Sequence, residues 1–127
     1  MKNYLIDTDV IVAMLNGDRK ITDNLLKNQI NISSISIGEL YAGAYKSQKT
    51  EENIYKIKRL MLTAQVLKIN KDIALQYGII KSKLEKIGKK ISINDYWIAA
   101  TAIEHDLILV SRDKHFQNID LVQIEIW

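Results

Sequence analysis

Residues 94–110 read Asn94-Asp95-Tyr96-Trp97-Ile98-Ala99-Ala100-Thr101-Ala102-Ile103-Glu104-His105-Asp106-Leu107-Ile108-Leu109-Val110, and this stretch decides the fold class. Counting from Asp95, residues Ile98, Ala99, Ala102 and Ile103 fall at i+3, i+4, i+7 and i+8, one face of a helix opened by Asn94. Leu107 to Val110 is wholly apolar, as a strand buried on both faces requires. A helix feeding directly into such a strand is the unit from which α/β proteins are built.

The same grammar extends outward. Tyr4-Leu5-Ile6 is a second wholly apolar strand, and Ile30–Ile35 and Val66–Ile69 are further candidates. Leu121–Trp127 alternates apolar and polar residues, as an exposed edge strand does. Helices are predicted for Thr8–Asn16 and Arg19–Asn28 around Gly17. Ser36-Ile37-Gly38-Glu39 matches a capping box opening a helix to about Lys46. Thr50 is expected to cap the next helix, and Asn70 a longer one closed by Gly88. The expectation is a three-layer α/β sandwich, with a mostly parallel central sheet of about five strands flanked by helices.

Composition sets the bounds. The 127 residues and 14.6 kDa suit a single domain, 1–127, and are too few for two. With 47% hydrophobic and 26% charged residues, a disordered tail or fibre is excluded. Cysteine is absent, which excludes a disulfide scaffold, thiolate catalysis and cysteine-ligated metal, and fits a reducing cytoplasm. No run approaches the ~18 apolar residues of a membrane span, and no leader is expected at Met1–Asp7. The net charge of +3 permits an anionic partner without demanding one.

In a parallel sheet the functional crevice lies beyond the carboxyl ends of the strands, where strand order reverses. Four carboxylates fall there. Asp7 follows the first strand, Glu39 follows the second, Asp95 opens the last helix, and Asp113 lies just beyond Val110. Singly, each has a local reading: Glu39 as the capping partner of Ser36, Asp95 as a favourable helix-start charge, Asp7 and Asp113 as turn formers. Together they would repel one another on one rim unless a cation sits among them. A hard divalent ion with oxygen ligands, Mg²⁺ or Mn²⁺ rather than zinc, meets that need.

Four segments carry a family resemblance: Tyr4-Leu5-Ile6-Asp7-Thr8-Asp9-Val10-Ile11, Ile35-Ser36-Ile37-Gly38-Glu39-Leu40-Tyr41-Ala42-Gly43, Ile93–Ala102 and Leu109-Val110-Ser111-Arg112-Asp113-Lys114-His115-Phe116. In their order and spacing the chain resembles PIN-domain nucleases, specifically the VapC-type ribonuclease toxins of prokaryotic toxin–antitoxin pairs. The resemblance implies a PIN-like sandwich and Mg²⁺- or Mn²⁺-dependent hydrolysis of RNA phosphodiesters, as the toxin of a type II pair. It implies Asp7, Glu39, Asp95 and Asp113 as the catalytic, metal-holding set, with Asp7 and Asp95 the main ligands. Thr8 and Ser111 orient carboxylates in that scheme, and Arg112 contacts phosphate or pairs with a neighbouring carboxylate. A cognate antitoxin and a homodimer are implied partners, with Tyr41, Tyr45 and Tyr55 candidates for the antitoxin groove and Leu60 and Met61 for the core. Two departures stand out: no proline precedes Asn94-Asp95, and Ser111 stands where threonine is commoner.

Several residues read otherwise. Asp9 favours the start of the first helix, and His105 and His115 read as structural. The lysines of Lys81–Lys90 suit a solvated helix end, or alternatively a path for RNA. Asp7-Thr8-Asp9-Val10 also fits the opening of haloacid-dehalogenase-type phosphatases, with Asp7 as nucleophile, although the chain is short for that family. A PIN-like RNA-binding or regulatory module without catalysis is the other alternative.

Overall fold

The computed structural model describes residues 1–127. In chain order it contains β1 (Asn3–Ile6), α1 (Thr8–Leu15), α2 (Arg19–Leu26), β2 (Gln29–Ser33), α3 (Ser34–Lys46) and α4 (Thr50–Thr63). These are followed by β3 (Gln65–Leu67), α5 (Lys71–Lys86), α6 (Ile93–Glu104), β4 (Ile108–Ser111), a 3₁₀ turn (Lys114–Asn118) and β5 (Gln123–Ile126). The five strands form one sheet in the order β3-β2-β1-β4-β5, and every neighbouring pair is parallel. No helix is long and apolar enough to cross a membrane.

Both faces of the sheet are covered, which is why its central strands are apolar without alternation. Leu5 and Leu109 point into a cluster built with Ile73, Ile80 and Leu84 of α5 and Tyr96, Ile98 and Ala99 of α6. Their neighbours Tyr4, Ile6 and Val110 point the other way, against Val10, Ile11, Ile21, Leu40, Ile57 and Leu60 from α1 to α4. The chain winds outward from β1 to β3, then crosses back to β4 and β5. Strand order therefore reverses between β1 and β4, placing the crevice at the ends of those two strands.

Three helix starts differ from the sequence expectation. Helix α3 begins at Ser34, and Ser33 caps it by accepting from the Ile35 N–H at 3.1 Å. Strand β2 runs straight into the helix, so Ser36 is a buried first-turn residue and Glu39 lies in the second turn, outside any capping box. Helix α6 is capped by Ser92, not Asn94, through the Asp95 N–H at 3.2 Å. Thr50 is likewise not a cap: its hydroxyl donates to the Ser47 carbonyl at 3.1 Å and no side chain caps α4. Asn70 caps α5 as expected, accepting from the Ile73 N–H at 2.9 Å. Gly88 follows that helix at φ +70°, a conformation a side chain would strain. Replacing Ser33 with Ala will lower unfolding free energy by about 1 kcal/mol, measured by urea denaturation, because the α3 start loses its acceptor.

Candidate active site

Each acidic residue reaches the crevice from a different element. Asp7 sits between β1 and α1, and its backbone N–H donates to the Val110 carbonyl at 2.9 Å, tying it to the strand across the reversal. Only 5% of Asp7 is exposed. One carboxylate oxygen accepts from the Thr8 N–H at 2.8 Å and the other from the Ser111 hydroxyl at 2.8 Å. Burial pushes its carboxyl up to about 6; those two hydrogen bonds pull it back, while the charges of Asp95 and Asp9 raise it further. Asp95 is half-buried and also raised, by burial first and then by the charges of Asp113, Glu39 and Asp9, with the Ser92 hydroxyl opposing.

These mutual influences place Asp7, Glu39, Asp95 and Asp113 in one electrostatic neighbourhood. Asp9, read as a helix-start charge, joins the same neighbourhood from the exposed first turn of α1. No three of these carboxylates close on a common point at coordinating spacing.

Hydroxyl groups hold the acids in place. Thr8 donates to Glu39 Oε1 at 2.7 Å and lies 3.0 Å from Ser36 Oγ, while its N–H holds Asp7, so one residue orients two carboxylates. Ser111 Oγ donates to Asp7 and accepts from the Asp113 N–H at 2.9 Å, tying the Asp7 carboxylate to the Asp113 backbone. Ser92 serves Asp95, a contact hidden from the sequence reading by the expected Asn94 cap. The Ser-x-x-Asp spacing was its available signal.

Arg112 does not enter the cluster. Its guanidinium donates to Asp18 Oδ2 at 3.3 Å, the carboxylate pairing weighed from the sequence. His115, read as structural, makes a local contact with Asp113. Its Nδ1 lies 3.0 Å from Asp113 Oδ1, which also accepts from the His115 N–H at 2.8 Å. His105 stays apart as the exposed cap of α6. Lys81 pairs with Glu85 along α5 at 3.3 Å.

Residues 4–122 match the PIN domain family. The chain is 35% identical to "Ribonuclease VapC1" of Haemophilus influenzae (strain R2866), over 98% of this chain and 97% of that relative. Its fold superimposes with a TM-score of 0.93 on VapBC2 from Rickettsia felis bound to a DNA fragment from their promoter, at 30% identity and 98% coverage of both chains. VapBC-1 from nontypeable Haemophilus influenzae follows closely, with a TM-score of 0.88 and 33% identity over 98% of this chain and 97% of that one. The acidic crevice at the β1–β4 reversal and these full-length similarities together establish that the chain belongs to the PIN domain family.

Proposed function

We propose that this protein is a metal-dependent endoribonuclease, hydrolysing RNA phosphodiester bonds as the toxin of a type II toxin–antitoxin pair. One observation carries the reading: four carboxylates from separate elements share one electrostatic neighbourhood at the strand-order reversal, and the most buried, Asp7, accepts hydrogen bonds at both oxygens. The ribonuclease name of the Haemophilus relative and the full-length match to VapBC assemblies support the substrate class and a cognate antitoxin. A homodimer is the expected assembly of the free toxin.

The donor set suits Mg²⁺ or Mn²⁺. All four candidate ligands are carboxylate oxygens, and no cysteine exists in the chain. Such an ion would take one or two of these carboxylates directly and keep several waters. When bound, such an ion activates a water for attack and offsets charge on the scissile phosphate. Asp7 and Asp95 are the main ligands, with Asp113 completing the site and Glu39 oriented by Thr8 to accept a proton. Ser111 positions Asp7, leaving each carboxylate oxygen a further lone pair. Ser111→Ala will lower cleavage about 10–100-fold, and threonine at the same position will restore it, because the hydroxyl is what orients Asp7.

The antitoxin is assigned to the cleft of about 240 Å³ between α1, α3 and α4, walled by Val12, Leu15, Leu40 and Ile57 and reaching Thr8 and Glu39 at one end. Tyr45 and Tyr55 are exposed on α3 and α4, whereas Leu60 belongs to the core and Met61 packs against it. The deciding experiment incubates a panel of structured RNAs with Mn²⁺ or Mg²⁺, beside EDTA and identically purified Asp95→Asn controls. Metal-dependent cutting lost in the variant supports the reading. RNA binding without any cutting favours the non-catalytic module, and phosphate transfer onto Asp7 favours the phosphatase.

A further inference from the structure

We propose that the cleft between α2 and the end of β5 holds one unstacked nucleotide of the RNA beside the scissile phosphate. This inference rests on the ribonuclease reading above. The cleft is about 370 Å³ and is lined by Asp18, Lys20, Asn24, Arg112, Ile126 and Trp127. Its position follows from Arg112, which stands between Ser111, the residue holding Asp7, and Asp113. It therefore lies beyond the carboxyl ends of β4 and β5, at the same end of the parallel sheet as the acidic crevice.

The lining provides one group for each part of a nucleotide. Trp127 is a half-buried aromatic wall of the cleft, packed against the core. Its indole N–H donates to Glu125 Oε1 at 3.2 Å, and its ring meets Tyr4 edge-to-face at 5.4 Å. Glu125 is in turn held by Lys2 at 2.9 Å and the Tyr4 hydroxyl at 3.1 Å. The Trp127 N–H donates to the Ser111 carbonyl at 2.9 Å, so the wall is fixed to the residue that orients Asp7. A base stacking on a ring already immobilised costs little further side-chain freedom.

The Asn24 side chain makes no hydrogen bond within the protein, and its backbone carbonyl accepts from the Asn28 amide at 2.8 Å. Its side-chain amide is left with donors and an acceptor, the complement of a base edge. Arg112 spends a single bond on Asp18 and its side chain is 45% exposed. With Lys20 it outweighs Asp18 in charge. That excess matters because phosphates approaching four carboxylates are repelled unless cations stand on the flank.

The chain has two tryptophans, Trp97 and Trp127. Trp97 stacks on Tyr77 at 3.9 Å, and Trp97→Phe keeps a ring there while leaving Trp127 as the sole indole. In that background, with EDTA present, hexaribonucleotides of each base are titrated by indole emission, and fluorescein-labelled copies by anisotropy. Saturable quenching of Trp127 is expected. Asn24→Ala should weaken binding about five-fold or more and flatten the preference among bases, and Lys20→Ala should weaken all four alike. Binding with unchanged Trp127 emission, or no binding of any hexamer, overturns the cleft. Cleavage is scored separately with the RNA panel: full cleavage by both Asn24→Ala and Lys20→Ala removes the cleft but leaves the ribonuclease. Quenching without any cleavage removes the ribonuclease instead.

Discussion

Asp7→Asn will stabilise the metal-free protein at pH 8 while slowing RNA cleavage at least about 100-fold, a loss of ~2.7 kcal/mol in transition-state stabilisation. The two effects have one origin. Burial raises the Asp7 carboxyl from 3.8 to about 6, so the folded state binds this proton more tightly than the unfolded chain does. Its contribution to stability is fully present below pH 4, is lost as pH rises to about 6, and stays lost above. The difference corresponds to about 3 kcal/mol at neutral pH and above. Asparagine carries no charge to desolvate and still accepts from the Thr8 N–H. Urea midpoints in EDTA should therefore coincide for variant and wild type near pH 4 and separate above pH 6, the variant being the more stable. Coincident midpoints at pH 8 would show that Asp7 is not the strained charge, and undiminished cleavage would remove it from the site.

Mn²⁺ will raise the melting temperature of the wild-type protein, and EDTA will abolish cleavage until the ion is restored. An ion at 100 times its dissociation constant stabilises by about 2.7 kcal/mol, a shift on the order of 10 °C for a chain of this size. Asp95→Asn should remove most of that shift, because Asp95 faces the charges of Asp113, Glu39 and Asp9 that the ion offsets. Lowering the pH to 5 should weaken the shift in wild type as well, since protonated Asp7 no longer offers a full charge. Differential scanning fluorimetry across that pH range reads both. Cleavage that persists in EDTA, or a melting temperature indifferent to Mn²⁺ at pH 8, would rule out the metal-dependent mechanism.

Much of the architecture was legible along the chain because β1 and β4 are buried on both faces. Tyr4–Ile6 and Leu107–Val110 have no polar residue to confuse the period, and the family segments lie around them. The edge position of β5 was legible from the alternation of apolar and polar residues in Leu121–Trp127. The helix starts were harder. Ser36-Ile37-Gly38-Glu39 satisfies the pattern of a capping box, yet Ser33 caps α3 because β2 passes into the helix with no intervening loop. Ser33 and Ser36 are both serine and three residues apart, one helical turn, so local sequence carries little to choose between them. That shift alters the meaning of Glu39, which is freed from a capping role and bound by Thr8 instead.

Arg112 and His115 take their places for a reason of geometry. Along β4, Ser111 turns its hydroxyl to Asp7, and the next residue, Arg112, reaches Asp18 at the start of α2. The 3₁₀ turn after Asp113 then folds His115 back onto the carboxylate. Neither outcome is encoded in spacing alone, since both depend on where a distant helix and a short turn are packed.

By itself, then, the sequence determined the α/β class, the parallel strands, and the four carboxylates with the two hydroxyl residues, Thr8 and Ser111, that flank them. Those follow from local burial patterns and from positions just beyond strand ends, which are short-range properties of a chain. Only the tertiary structure decided which oxygens meet, that Asp7 is the buried carboxyl pushed to about 6, and that Ser92 and His115 belong to the cluster. Charge interaction and desolvation depend on distances between residues as far apart in sequence as Asp7 and Ser111, and only the folded sheet sets those distances.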